Sequence, residues 1–165
     1  MVALNVWVCR AGRNSVYHSR FIENNKIFLT WDKWKIDLRL LPPEKDRLRA
    51  FVCDECCDTN RTAVSNHLSQ VMIFRDKMSV GDWVIVPGTR SREYSLGVIK
   101  GDYSYHPDAG EHFYHQREVE WKLLDVPRSS FSKSMQYSLG AYRTIFSLKN
   151  TGEFFKFINN SGGSE

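Results

Sequence analysis

Residues 78–105 constrain the fold more than any other stretch of the chain. Met78-Ser79-Val80-Gly81 leads into a strand-patterned run over 82–86, Asp82-Trp83-Val84-Ile85-Val86, bounded by a glycine turn and by Pro87. Gly81 accommodates the positive φ that such turns often require. Pro87 has no N–H to give to a ladder, so it stands at a strand's end or edge. A short basic loop, Gly88-Thr89-Arg90-Ser91-Arg92-Glu93, separates this run from Tyr94-Ser95-Leu96-Gly97-Val98-Ile99-Lys100, which alternates and ends in Gly101-Asp102-Tyr103-Ser104-Tyr105. Two strand-patterned runs joined by a short polar loop predict an antiparallel hairpin with arginines at its tip.

Four more runs alternate in the same way, over residues 4–10, 26–31, 118–124 and 141–148, which brings the expected strands to six. Helical apolar spacing appears over 14–24 (Val16, Tyr17, Phe21), over 61–78 (Val64, Leu68, Val71, Met72) and over 151–158, where Thr151 is a plausible cap and Phe154, Phe155, Phe157 and Ile158 follow. Helices interleaved with a six-strand set predict an α+β chain whose strands form a barrel or a strongly curved sheet. Its 165 residues suffice for one core. One domain over 1–158 is therefore expected, with a flexible tail over 159–165, where Asn, Ser and Gly dominate.

Composition narrows the class. Apolar residues make up 42% and charged residues 25%, and no run approaches the ~20 apolar residues of a membrane helix. The N-terminus lacks the basic region and cleavage site of an export signal, so a cytoplasmic, non-membrane protein is expected. Cys9 stands alone while Cys53, Cys56 and Cys57 crowd together, a poor disulfide framework. Cys53-Asp54-Glu55-Cys56 has the spacing of half a zinc site, with His67 or Cys57 conceivable as a third ligand, but its second half is missing. We expect ordinary thiols near a helix end, no metal and no cofactor. His106, His112 and His115 fall in what reads as a polar loop over 103–116. A net charge of +4 suits a polyanionic partner without requiring one.

Four pieces in order carry a resemblance: Trp7-Val8-Cys9-Arg10-Ala11-Gly12; Lys26-Ile27-Phe28-Leu29-Thr30-Trp31; Phe74-Arg75-Asp76-Lys77-Met78 running into Gly81-Asp82-Trp83; and Leu96-Gly97-Val98-Ile99-Lys100-Gly101-Asp102-Tyr103 followed by Val119-Glu120-Trp121. Together they resemble the PUA-like superfamily, in particular the EVE and YTH-like domains of modification-dependent restriction proteins of the Mrr and McrB kind. The resemblance implies a curved barrel flanked by helices that holds a flipped, modified base in an aromatic pocket, because a base inside a duplex must leave the stack before a pocket can enclose it. It places Trp31, Asp32, Trp34, Tyr103 and Tyr105 at that pocket. Arg10, Arg13, Arg90 and Arg92 become the candidates for phosphate contacts. The implied partner is modified double-stranded DNA, with an NTPase or nuclease domain or subunit as the effector. The segment over 35–61, long, charged and Cys-rich, departs from the EVE pattern.

Each of these residues has a plainer reading. A single arginine is usually a solvated surface group, and Tyr103 or Trp31 could be core. Trp7, Trp83 and Trp121 alternate within strands and read as core. Two other functions stay open. PUA-like domains also bind RNA through similar stacking surfaces. A PD-(D/E)xK nuclease would use Glu118-Val119-Glu120-Trp121-Lys122 with Asp102 upstream, although charges at alternate strand positions are normally a solvated face. No Gly-rich loop ending in Gly-Lys-Ser/Thr and no nucleophile elbow is present, so no catalytic site of the chain's own is expected.

Overall fold

A computed structural model describes residues 5–30, 35–56, 61–89, 92–110, 112–141, 143–149 and 151–161, the side chains of 52–56 and 61–64 excepted. Among these residues, seven strands run in chain order as β1 (Val6–Cys9), β2 (Lys26–Leu29), β3 (Trp83–Pro87), β4 (Glu93–Ile99), β5 (Ser104–Tyr105), β6 (His115–Pro127) and β7 (Ile145–Ser147). Five helices accompany them: α1 (His18–Asn24), α2 (Lys45–Cys56), α3 (Arg61–Met72), α4 (Lys133–Leu139) and α5 (Thr151–Asn160). The result is the expected α+β architecture, a curled half-barrel sheet flanked by helices.

The sheet order is β2-β6-β4-β3-β1-β7, with β5 joined to β6. The predicted hairpin is present: β3 and β4 pair antiparallel from Trp83↔Val98 to Pro87↔Tyr94. Gly81 turns at φ +100°, and Asp82 locks the turn to β1. Its carboxylate accepts the indole N–H of Trp7 at 2.9 Å and the Ser79 N–H at 3.0 Å. β1 then lies parallel to β3, from Val6↔Trp83 to Val8↔Ile85.

Strands β1 and β3 are buried on both faces, as their nearly unbroken apolar sequences demand. Trp7, Cys9, Val84 and Val86 point into a cluster closed by Phe21 of α1, Leu48 of α2, and Leu68 and Val71 of α3. Val6, Val8 and Ile85 point the other way, onto Met135 and Leu139 of α4 and Phe154 and Ile158 of α5. The i, i+4 pair Phe154 and Ile158 is the buried stripe of α5, each side chain contributing roughly 1.5–3 kcal/mol of apolar burial. Trp83 meets Phe154 edge to face at 5.4 Å.

The spine of the sheet is β6. Its first residues are flanked on both sides, with Leu29 of β2 and Tyr105 of β5 both in register with His115. Its later residues pair with β4 through two register shifts around Leu96, the kind of irregularity that bends a strand. Gly97 sits at that bend. A Cβ there would lie 2.6 Å from Val119 Cγ1 and 2.9 Å from the Glu120 carbonyl oxygen.

Several expectations need correction. The fifth expected strand, over 118–124, extends back to His115, so His115 lies in a strand and is fully buried, not in a polar loop. Helices α2 and α4 and the short β5 were not expected, and the 61–78 helix divides into α3 and a π-helical turn over Ile73–Lys77. Residues 159 and 160, assigned to the tail, belong to α5, and 162–165 lie outside the described residues. Cys53 and Cys56 fall in α2 without described side chains, and Cys57 lies outside the described residues. Cys9 is buried, and desolvation pushes its thiol far above the ordinary range. Among the described residues no helix is long and apolar enough to cross a membrane.

Candidate nucleic-acid interface

The flanking of His115 by β2 and β5 gathers aromatic rings at one end of the sheet. Tyr103 stacks on the imidazole with ring centres 5.8 Å apart, Tyr105 tilts against it at 5.6 Å, and Tyr114 lies 6.4 Å from Tyr105. Tyr103 and Tyr114 are buried and Tyr105 is half-buried. Burial raises the Tyr103 and Tyr105 phenols above their ordinary range, so both stay protonated and can donate.

A strap over residues 35–41 closes this cluster. The backbone N–H of Leu38 donates to the Tyr103 hydroxyl at 3.0 Å, and the same oxygen lies 2.7 Å from His115 Nδ1. Whether the phenol O–H or the imidazole N–H donates in this contact follows the tautomer of the ring. The strap is pinned by Asp37, which accepts from the Arg39 backbone N–H at 2.9 Å and pairs with its guanidinium at 2.6 Å. The Arg39 hydrogen bond is the main cause that holds the Asp37 carboxyl below its ordinary range. Two cations lie against the rings: Lys35 Nζ is 5.7 Å from the Tyr114 centroid and Arg39 is 5.9 Å from that of Tyr103.

The second component is a cleft of about 520 Å³ lined by Arg10, Gly12, Arg13, Asn14, Thr30, Arg143 and Thr144. Arg10 leaves the end of β1 and donates to the Ala141 carbonyl at 3.0 Å, which ties that side of the cleft to the approach to β7. Gly12 (φ 78°) and Asn14 (φ 57°) take left-handed conformations and turn Arg13 over the opening. Thr30 follows Leu29, the residue in register with His115. The arginine cleft and the aromatic cluster thus share the end of β2.

Of the expected pocket residues, Tyr103 and Tyr105 are brought together around His115, but Tyr103, 6% exposed, belongs to the core and supports the cluster from beneath. Trp31, Asp32 and Trp34 lie outside the described residues. Of the expected phosphate contacts, Arg10 and Arg13 share one cleft. Arg92 is exposed at the β3–β4 loop, remote in sequence from the cleft, and Arg90 lies outside the described residues. The sequence reading missed Arg143, Tyr114, His115 and the Asp37–Arg39 strap.

The nuclease motif occupies another surface. Glu120 bonds Lys122 at 3.0 Å and Lys100 at 3.4 Å across β4 and β6, and these two lysines depress its carboxyl. Asp102 is exposed with Arg117 at 3.9 Å. Among the described residues no three His, Cys, Asp or Glu side chains are grouped to hold a metal. His106 bonds Ser104 at 2.9 Å, and His112 stacks on Tyr17.

Fold and surface together define a small α+β half-barrel that carries an aromatic–imidazole cluster and an arginine-lined cleft, linked in sequence through Leu29 and Thr30. The chain belongs to the family described as "Domain of unknown function (DUF8426)", whose model matches residues 7–149. No curated protein matches it.

Proposed function

We propose that this chain is a DNA-binding specificity module that recognises a modified base, flipped from the duplex and held at the aromatic cluster, within a cytoplasmic restriction or defence system. One observation carries the reading: Leu29 of β2 is in register with His115 of the aromatic cluster, and the next residue, Thr30, lines the arginine cleft. Stacking on an aromatic ring is worth about 1–3 kcal/mol per base, and it needs a phosphate anchor close by to hold the nucleotide in register. Tyr105 supplies a half-buried ring face with the buried Tyr114 beside it, and Arg10, Arg13 and Arg143 supply the anchor. The domain binds and carries out no reaction. Cleavage or NTP hydrolysis belongs to an NTPase or nuclease domain or partner subunit.

The test separates the two components. Tyr105→Ala, at a half-buried position, should remove preference for a modified duplex with little loss of binding to the unmodified one. Arg143→Ala should weaken both duplexes alike and lower the salt slope by about 0.9 on duplex DNA. Equal effects of the two variants on preference would contradict the assignment.

A further inference from the structure

Arg143 also lines a second, larger groove of about 660 Å³ whose lining is half apolar and whose other polar residues are Ser69, Lys77, Ser138, Ser147 and Lys149. This groove lies along β7, an edge of the sheet, and reaches across to α3 and α4. Taken together, the two linings hold five cations, Arg10, Arg13, Arg143, Lys77 and Lys149, and no carboxylate among the described residues. On other surfaces Arg39, Arg47, Arg75, Lys100, Arg117 and Lys122 each face an acid. Arg13, Arg143, Lys77 and Lys149 have no ion pair among the described residues. Like charges left unmatched along one groove repel one another, and a polyanion laid in the groove relieves that repulsion and releases its own counterions. The hydroxyls of Ser69, Ser138 and Ser147 add hydrogen-bond donors of the kind that phosphate oxygens accept.

We propose that this groove carries the phosphodiester backbone of the nucleic-acid strand flanking the base that is read. The strand runs from the Thr30 end of the arginine cleft, past Arg143, to Lys77 and Lys149. The proposal rests on the nucleic-acid reading above and extends the contact surface well beyond the pocket.

The probe is a fluorescein-labelled single-stranded DNA of about 20 nucleotides, with the matching duplex beside it, titrated with the full chain from roughly 50 to 300 mM NaCl. Wild type is compared with Lys77→Gln/Lys149→Gln and with a control pair on other surfaces, Lys45→Gln/Lys133→Gln. All four lysines are exposed, so the fold is kept. The groove pair should flatten the salt slope on single strands by about 1.4, from ~0.7 per lost phosphate contact, and weaken binding about tenfold at the lowest salt. The control pair should change neither. A groove pair that behaves like the control overturns the proposal. So does tighter binding of polyglutamate than of DNA by the wild type, which would assign the groove to an acidic protein. If the groove pair loses slope but wild type prefers no modified base, the groove stands and the base-reading function falls.

Discussion

The Tyr103 hydroxyl is bonded to His115 Nδ1 at 2.7 Å and to the Leu38 N–H at 3.0 Å, so one phenol holds both the orientation of a buried imidazole and the strap that closes over it. Tyr103→Phe keeps the ring and removes that junction. Two buried polar groups then lose a partner, which costs about 1–3 kcal/mol. Urea denaturation should register this loss, and hydrogen exchange should quicken at Leu38 before the sheet is affected. Tyr103→Ala would go further, by roughly 3–5 kcal/mol, because the ring is part of the core. Unchanged exchange at Leu38 in Tyr103→Phe would contradict the role given to the hydroxyl.

His18 provides a pH signature. Its Nε2 lies 3.0 Å from Ser95 Oγ, and desolvation lowers its affinity for a proton below the ordinary value of 6.5, outweighing the opposing pull of Asp125 and Glu93. The unfolded chain therefore binds the proton more readily than the folded one. Stability contributed by neutral His18 is complete above about 6.5 and declines as pH falls below it. Chemical denaturation at about pH 7.5 and about pH 5.5 should show a smaller drop for His18→Gln than for wild type. An identical drop in both would contradict it.

Gly97 allows the close approach of β4 and β6 at the bend. Gly97→Ala puts a methyl against Val119 Cγ1 and the Glu120 carbonyl, and a backbone oxygen cannot swing aside as a flexible side chain could. A loss of about 1–3 kcal/mol is expected. A thermal melt within a degree or so of wild type would show that the strands can separate there at little cost.

Residues 83–99 were legible in sequence because alternation, a glycine turn and a terminal proline are all local signals. The start of β6 was not. His115, Gln116 and Arg117 look like loop residues, yet all three are buried, because β2 and β5 cover that stretch from both sides. Their partners lie far along the chain. Arg117 donates to the Phe74 carbonyl, 43 residues away, and to that of Gly101, 16 away. Helix α4 was missed for a similar reason. Its cap Ser132 accepts from Met135 N, as a local pattern would, but Ser132 is itself held by Glu153, 21 residues on. In the arginine cleft, Arg10 and Arg13 were recognisable as a basic pair after β1. Arg143 joins them only because β7 pairs antiparallel with β1 and brings the other end of the chain alongside.

Direct binding of the purified chain to matched duplexes that are unmodified, adenine-methylated, cytosine-methylated or hydroxymethylated, with single-stranded RNA in parallel and magnesium present, bears most immediately on whether this fold reads modified DNA. A preference of about tenfold or more, some 1.4 kcal/mol, for one modified duplex with no strand cleavage is the expected result. Equal affinity for all duplexes would contradict the proposal. Tighter binding to RNA would move the function to RNA recognition, and cutting would return Glu120 and Lys122 to consideration as a nuclease site.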